Sequence, residues 1–259
     1  MMPNYGGEMS EVLYDWLLVG MFASAAGVVV QGLVFPNPLG RHYTPGWWAI
    51  KARAGWLWME IPAALACCGF YFWFAPTYAW PAVVCVLMWQ VHYVHRGFVF
   101  PFRLNSGDKP FPLIAVPLAI GFNAMNGFVN GWALGHTAHL QTAAWFGDPR
   151  FWVGIVIMIV GLYVNLKSDT MLIHLRDDGS DGYKIPRGFL FEKVTAPNYL
   201  GEMMIWAGFA CMSWTLAGLA FALFTAGYMI PRALTHHRWY KEKFPDYPAE
   251  RKAILPWVL

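Results

Sequence analysis

The chain has 259 residues, 58% of them hydrophobic and only 13% charged, with 15 tryptophans, a mean hydropathy of +0.39 and a formal net charge of +3. An average soluble domain carries roughly 25% charged residues, so this composition excludes an ordinary soluble enzyme, does not suggest a nucleic-acid binder, and indicates an integral membrane protein. At about 20 residues per span the length suits six to eight transmembrane helices and leaves no room for a separate soluble domain of normal size. One domain over residues 1–259 is expected.

The N-terminal segment is acidic through Glu8, Glu11 and Asp15 and lacks the basic n-region of a cleaved signal. Hydrophobic windows then predict helices over 12–35, 52–75, 79–100, 111–134, 150–174, 198–212 and 214–234. The last two read as a hairpin, interrupted only at Met212 and Ser213. Lys and Arg set the expected topology. Arg41, Lys51 and Arg53 precede the second span, and Arg96, Arg103 and Lys109 follow the third. Arg176, Lys184, Arg187 and Lys193 follow the fifth, and Arg232, Arg238, Lys241, Lys243, Arg251 and Lys252 close the chain. The turn at 75–79 and the loop at 135–149 are almost free of basic residues. An all-α, polytopic protein of seven transmembrane helices, N-terminus outside and C-terminus cytoplasmic, satisfies every loop. Cys67, Cys68, Cys85 and Cys211 lie in apolar runs without CxxC spacing and read as small core- or lipid-facing residues.

Three groups of residues stand out against this background. Glu60 sits inside an apolar window with Pro62 after it; desolvation there favours the neutral acid, a hydrogen-bond donor, unless Lys51 or Arg53 pairs with it. The run Gln90 to Arg96 places Gln90, Tyr93 and Gly97 on one helical face and His92, His95 and Arg96 on an adjoining one. Tyr93 offers a phenol to a buried acceptor. The histidine pair lacks a third ligand of the right kind, so no metal is expected. The stretch from Asn165 to Trp206 crowds Asn165, Lys167, Asp169, Arg176, Tyr183, Lys184, Arg187, Asn198 and Glu202 between two apolar segments. Polar groups so dense beside membrane spans read as a site, because each unpaired one in hydrocarbon costs several kcal/mol. Together with Arg232 and the run His236 to Tyr240 it suits a phosphorylated cofactor, whose phosphates match guanidinium and whose rings stack on aromatics. There is no GxGxxG or Walker sequence, so a nucleotide would be held by a non-Rossmann site. The residues alone indicate a membrane-embedded enzyme or carrier with an acid, a phenol and an internal anion site.

At these residues the chain resembles the steroid 5α-reductase (3-oxo-5α-steroid 4-dehydrogenase) family, and a bacterial member of it. The likeness is carried by ARAGWLWMEIP, VHYVHRGFVFP, FNAMNGFVNG, NLKSDTMLIHLR, YKIPRGFLFEKVTAPNYLGEMMIWAG and HHRWYKEKFPDYPAERKAILPWVL. The resemblance implies a seven-helix enzyme that reduces the Δ4 double bond of 3-oxo steroids with NADPH. It implies that Glu60 and Tyr93 hold the 3-ketone, that Trp56 lines the steroid slot, and that Asn165, Asp169, Arg176, Tyr183, Asn198, Glu202, Arg232, His236 and Tyr240 hold the cofactor, in a half of the chain spanning roughly 150–259. Residues 102–110 depart from the family pattern; Arg103 and Lys109, with Asn105, stand in for its basic run. Another lipid enone or polyprenal as substrate, or a methyltransferase of the isoprenylcysteine type, are the alternatives. A monomer in a bacterial inner membrane is expected.

Overall fold

The structure is a computed structural model that describes residues 5–34, 48–177 and 182–259. Helix α1 spans Tyr5–Val34, α2 Ala52–Phe74 and α3 Trp80–Val94; a five-residue π-helical stretch, His95–Val99, joins α3 to the short α4, Phe100–Arg103. Then follow α5 (Ala115–His136), α6 (Pro149–Ile173), α7 (Pro197–Ser213) and α8 (Leu216–Lys243). Each of the seven predicted windows contains a long helix. Among the described residues five stretches, Met9–Val34, Ala52–Phe74, Trp80–Arg103, Pro149–Ile173 and Leu216–Lys243, are long and apolar enough to cross a membrane. Of the other two, α7 has only 17 residues and α5 carries Asn123, Asn126 and Asn130.

The described residues are mostly helical, as expected, and β1 (Ala49–Lys51) pairs antiparallel with β2 (Pro110–Pro112) in a two-stranded ribbon beside the helices. The cause is local: Pro110 and Pro112 oppose helix in the segment expected to open α5, and that helix starts at Ala115 instead. The last helix also runs well past 234. Pro231 lies inside α8, and the helix continues to Lys243, so Arg232, His236 and Tyr240 are successive residues on one helical stripe rather than parts of a tail. The break before α8 falls at Trp214, which takes a left-handed conformation at φ 49°, and Thr215 caps the new helix by accepting a hydrogen bond from the Gly218 amide at 3.0 Å.

The helices pack mainly as α2 on α5, α6 on α7 and α1 on α8, with α7 also against α8. Glycine makes the first two contacts close. On α5, Gly131 lies over the Cys67 carbonyl and the Tyr71 amide of α2; a Cβ there would sit 2.6 Å from the former. Between α6 and α7 the arrangement is reciprocal, with Gly161 against Gly201 and Gly154 against Gly208. Small residues allow this approach where neighbouring lipid offers helices no hydrophobic reason to associate.

The loops sort to two ends. At one, Thr77 donates to Gln141 (3.2 Å), the His139 ring meets the Ser213 carbonyl (2.9 Å), and the Trp145 indole donates to the Met212 carbonyl (3.0 Å), so the residues after α2, α5 and α7 meet. Asp148 caps α6 there, and hydrogen bonds from Arg150 hold its carboxyl down at about 2. At the other end Arg103 donates to Thr170 (2.7 Å) and Asn105 to the Ile173 carbonyl (2.9 Å), while Lys51 pairs with Asp108 (3.1 Å). The C-terminal segment joins it through Thr195 N–H to the Lys252 carbonyl (2.8 Å) and Lys252 N–H to the Lys193 carbonyl (2.9 Å). Arg41 lies outside the described residues. The basic loops therefore share one end of the bundle.

A Cβ on Gly208 would stand 2.5 Å from the Met158 amide nitrogen, so Gly208→Ala must push α7 off α6. We expect a loss of about 1–3 kcal/mol, the usual cost of overpacking, read as a lower thermal midpoint in detergent. Gly69→Ala, with nothing within 4 Å of the new methyl, should leave the midpoint unchanged or raise it.

Candidate functional site

The close approach of α6 to α7 brings their polar residues side by side. A Cβ on Gly201 would lie 2.5 Å from the Asn165 amide nitrogen, so α7 crosses α6 at Asn165. From there the Asn165 side chain donates to the Asn198 carbonyl (3.0 Å) and to Glu202 Oε2 (3.1 Å), and Asn198 Nδ2 donates to Asp169 Oδ1 (3.1 Å). Glu202 is further held by the Trp206 indole, which donates to Oε1 at 2.9 Å. Asn165, Asp169 and Glu202 are buried. Four residues expected from the Asn165 to Trp206 stretch thus form one network, each fixing the next.

Helix α3 and its π-helical continuation supply the groups that face these carboxyls. His92, buried, places Nε2 3.3 Å from Glu202 Oε1. Arg96 lies between α2 and α6, with Nη1 3.2 Å from Asp169 Oδ2 and Nε 3.8 Å from Glu60 Oε1. The Asp169 contact is a hydrogen bond; the Glu60 contact is longer than one. Arg96 therefore spends its directed donor on Asp169 and leaves Glu60 with an attraction but no committed partner from that side. Neither Lys51 nor Arg53 pairs with Glu60: Lys51 turns to Asp108. The guanidinium stacks 4.7 Å from the Trp56 ring and 4.5 Å from Phe100, which covers its apolar faces.

Tyr93 is buried one turn before Gly97, in an aromatic nest with Trp89 (5.1 Å), His92 (4.9 Å) and Trp206 (5.4 Å). Gly97 presents bare backbone to Glu60, whose Cβ would be 3.5 Å from a methyl there. Glu60 and Trp56 consequently gather around Arg96, with Tyr93 one turn before it on the same helix, continuous with Asp169, Asn198, Asn165 and Glu202.

The remaining expected residues lie outside this centre. Tyr199, next to Asn198, leads to α8: its hydroxyl is 3.2 Å from His236 Nε2, and Arg232 sits 6.0 Å over its ring while donating to Tyr228 at 3.0 Å. One turn on, Tyr240 stacks on Tyr247 (5.4 Å) and its hydroxyl points to the Lys184 carbonyl (3.5 Å); Tyr183 packs edge-on to Trp239 (4.9 Å). Thr195 ties these elements together, its hydroxyl meeting His237 Nδ1 and the Tyr247 hydroxyl, each at 2.7 Å. Burial is the largest influence on the Tyr247 phenol and pushes its pKa up. Arg103 reaches Thr170 on α6, and Lys109 is exposed beside the ribbon. The turn His174–Arg176 ends α6, but the Arg176 side chain lies outside the described residues.

The site residues absent from the sequence-based assignment are Arg96, His92, Trp206 and Tyr199. A signal for the first was present. Glu60, Asp169 and Glu202 put three carboxyl groups into apolar segments, and buried carboxylates call for a cation; Arg96 is a cation at the end of an apolar window, three residues after Tyr93.

Comparison with known proteins gives the same direction. The family model described as 3-oxo-5-alpha-steroid 4-dehydrogenase matches residues 109–259. The chain is 40% identical over 242 residues to 3-oxo-5-alpha-steroid 4-dehydrogenase 1 of Bos taurus, covering 91% of this chain and 93% of that one. It is 42% identical over 222 residues to the Homo sapiens protein of the same name, covering 85% of each. It is 36% identical over 254 residues to steroid 5-alpha-reductase DET2 of Solanum lycopersicum, covering 96% of this chain and 98% of that one.

Removing Arg96 leaves Asp169 and Glu60 as partly buried carboxyls without their cation. Arg96→Met should cost about 3–5 kcal/mol in reversible unfolding, the range for breaking a buried pair. Adding Asp169→Asn to that variant should recover part of the loss, a coupling that a double-mutant cycle reads directly.

Proposed function

The chain belongs to the 3-oxo-5-alpha-steroid 4-dehydrogenase family, the steroid 5α-reductases, and on that premise we propose that it reduces the Δ4 double bond of a 3-oxo steroid with NADPH, using Glu60 and Tyr93 to polarise the 3-ketone. The observation that carries this reading is the continuity of the buried polar network. An acid beside Arg96, with the Tyr93 phenol one helical turn before that arginine, stands at one end, and the amide and carboxylate groups of Asn165, Asn198 and Glu202 stand at the other.

The donor set fits such a cofactor. Asn198 and Glu202 offer the mixture of amide and carboxylate that a nicotinamide carboxamide needs, and Arg232, Arg103 and Arg176 bring guanidinium groups of the kind that hold phosphates. The rings of Tyr199, Tyr183 and Trp239 supply stacking surface toward the basic end. When bound, the reduced nicotinamide supplies the hydride for C5, the β carbon of the enone.

The residues of this chain do the rest. Negative charge develops on the 3-oxygen as C5 is attacked, and Tyr93 and the neutral form of Glu60 donate hydrogen bonds to it. Fixed donors of this kind in a water-poor site commonly lower the barrier by about 3–4 kcal/mol each. Arg96, hydrogen-bonded to Asp169, stays close enough to Glu60 to stabilise developing charge without taking over its lone pairs. Trp56 and Phe100 keep water from that guanidinium and give the steroid an apolar wall. A proton delivered to C4 completes the saturation, so the product gains one hydride and one proton and the ketone is regenerated.

We also propose that all seven long helices cross the membrane, that the N-terminus faces away from the basic loops, and that the chain acts as a monomer in a single domain. The gathering of Lys and Arg at one end of the bundle supports this orientation, since basic loops are retained in the cytoplasm.

The experiment is product analysis with purified protein, NADPH and a Δ4-3-oxo steroid. Formation of the 5α-dihydro ketone is expected, with Glu60→Gln and Tyr93→Phe each lowering kcat by about 10²–10³, the range for loss of an oxyanion donor. Normal turnover by both variants would show the chemistry to be wrongly assigned. Faster reduction of a polyprenal or another lipid enone would show the substrate to be wrong.

A further inference from the structure

Helix α2 bears both Glu60 and Trp56, and it is interrupted chemically at Pro62. Proline lacks the amide proton that would bond to the carbonyl four residues earlier, here Trp58, and its ring crowds that carbonyl. The turn that carries Glu60 is therefore the one stretch of α2 whose own hydrogen bonds do not fix its geometry.

Three side chains from neighbouring helices bond to the backbone around this gap. Asn123 on α5 donates from Nδ2 to the Met59 carbonyl at 2.7 Å. Gln90 on α3 donates from Nε2 to the Ala64 carbonyl at 2.7 Å, and the Trp89 indole donates to the Ala63 carbonyl at 3.0 Å. The acceptors lie on both sides of Pro62, and the donors come from two different helices. Trp89 also fills the core against Tyr93, Trp206 and Phe209, which accounts for its presence. Asn123 and Gln90 are polar side chains, an expensive choice for helices of this kind unless their hydrogen bonds are used.

We propose that Asn123 and Gln90 are positioning residues: they clamp the weakened turn of α2 from α5 and α3 and so hold Glu60 where it can donate to the substrate's ketone oxygen. Interhelical hydrogen bonds add little to the stability of membrane proteins, so their loss leaves the fold standing. A misplacement of about 1 Å in a reacting group, however, can cost about a hundredfold in rate. The clamp acts only on α2. Asn165, Asn198 and Glu202 are built on α6 and α7 and keep their own network. This inference rests on the role given to Glu60 in the proposed reduction.

The test is a double-mutant cycle. Asn123→Leu and Gln90→Leu should each lower kcat for a Δ4-3-oxo steroid about tenfold, with the KM for NADPH unchanged. In the Glu60→Gln background the same substitutions should have almost no further effect, because the group they position is already gone. Backbone amide exchange over residues 63–68 should quicken in both leucine variants. If either fails to fold, Asn123→Ala and Gln90→Ala replace them.

Equal losses in the presence and absence of Glu60 would overturn the proposal, as would a lowered thermal midpoint with kcat intact. If Glu60→Gln by itself turns over normally, the proposed reduction mechanism has failed, and amide exchange then judges the clamp alone. Faster exchange at 63–68 supports it, and unchanged exchange refutes it.

Discussion

The backbone contact between α6 and α7 is the constraint on which the polar centre depends. Gly154 and Gly161 on one helix meet Gly208 and Gly201 on the other so closely that no side chain fits between. Only at such a separation can the short amide of Asn165 span from α6 to both the Asn198 carbonyl and Glu202. Two helices at ordinary distance would leave these groups facing each other across a gap, each needing water that hydrocarbon surroundings do not supply. Glycine, the weakest helix former but proline, is here the residue that makes a polar interior tolerable.

Charge is the second constraint, and it links the two halves of the site. Glu60 comes from α2, Asp169 from α6 and Glu202 from α7, and the groups that face them, Arg96 and His92, lie one turn apart at the end of α3. Burying ions is costly unless they are paired and hydrogen-bonded, so these helices are held to one relative arrangement that apolar packing alone would not specify. Tyr93, between His92 and Arg96, is carried into the same place by the helix itself. The acid, the phenol and the amide groups are thus parts of one electrostatic unit.

Much of this could be read in the sequence, for physical reasons that differ by element. Long apolar windows mark helices because length and hydropathy are local properties, and α2 and α6 begin and end within one residue of their expected limits. The dense polar stretch stands out because lipid makes unpaired polarity expensive, and four of its residues do bond to one another. The end of the last helix is where local reading falls short. Apolarity fades after 234, in the run His236 to Lys243, yet α8 continues to Lys243, because a hydropathy window marks where a helix stops being apolar and not where it stops being helical. Arg96 was legible as a charge but not as a centre, since its partners are more than thirty residues away on one side and more than seventy on the other. The ribbon of Ala49–Lys51 with Pro110–Pro112 is likewise a pairing at a distance, invisible to any window.

The π-helical stretch His95–Val99 closes α3 with one residue more per turn than an α-helix can hold, seen in the bond from the Phe100 amide to the His95 carbonyl. Such a turn is a stored insertion. Deleting that extra residue would restore regular helix and leave the segments on either side in their present phase, whereas forcing all five residues into α geometry would swing everything beyond by about 100°. Phe100 and Arg103 would then face different neighbours while Trp89 and His92 kept theirs. The stretch is a register joint: above it the helix answers to the aromatic core, below it to the basic end of the bundle. The wide turn, not the residue count, keeps the two ends in phase.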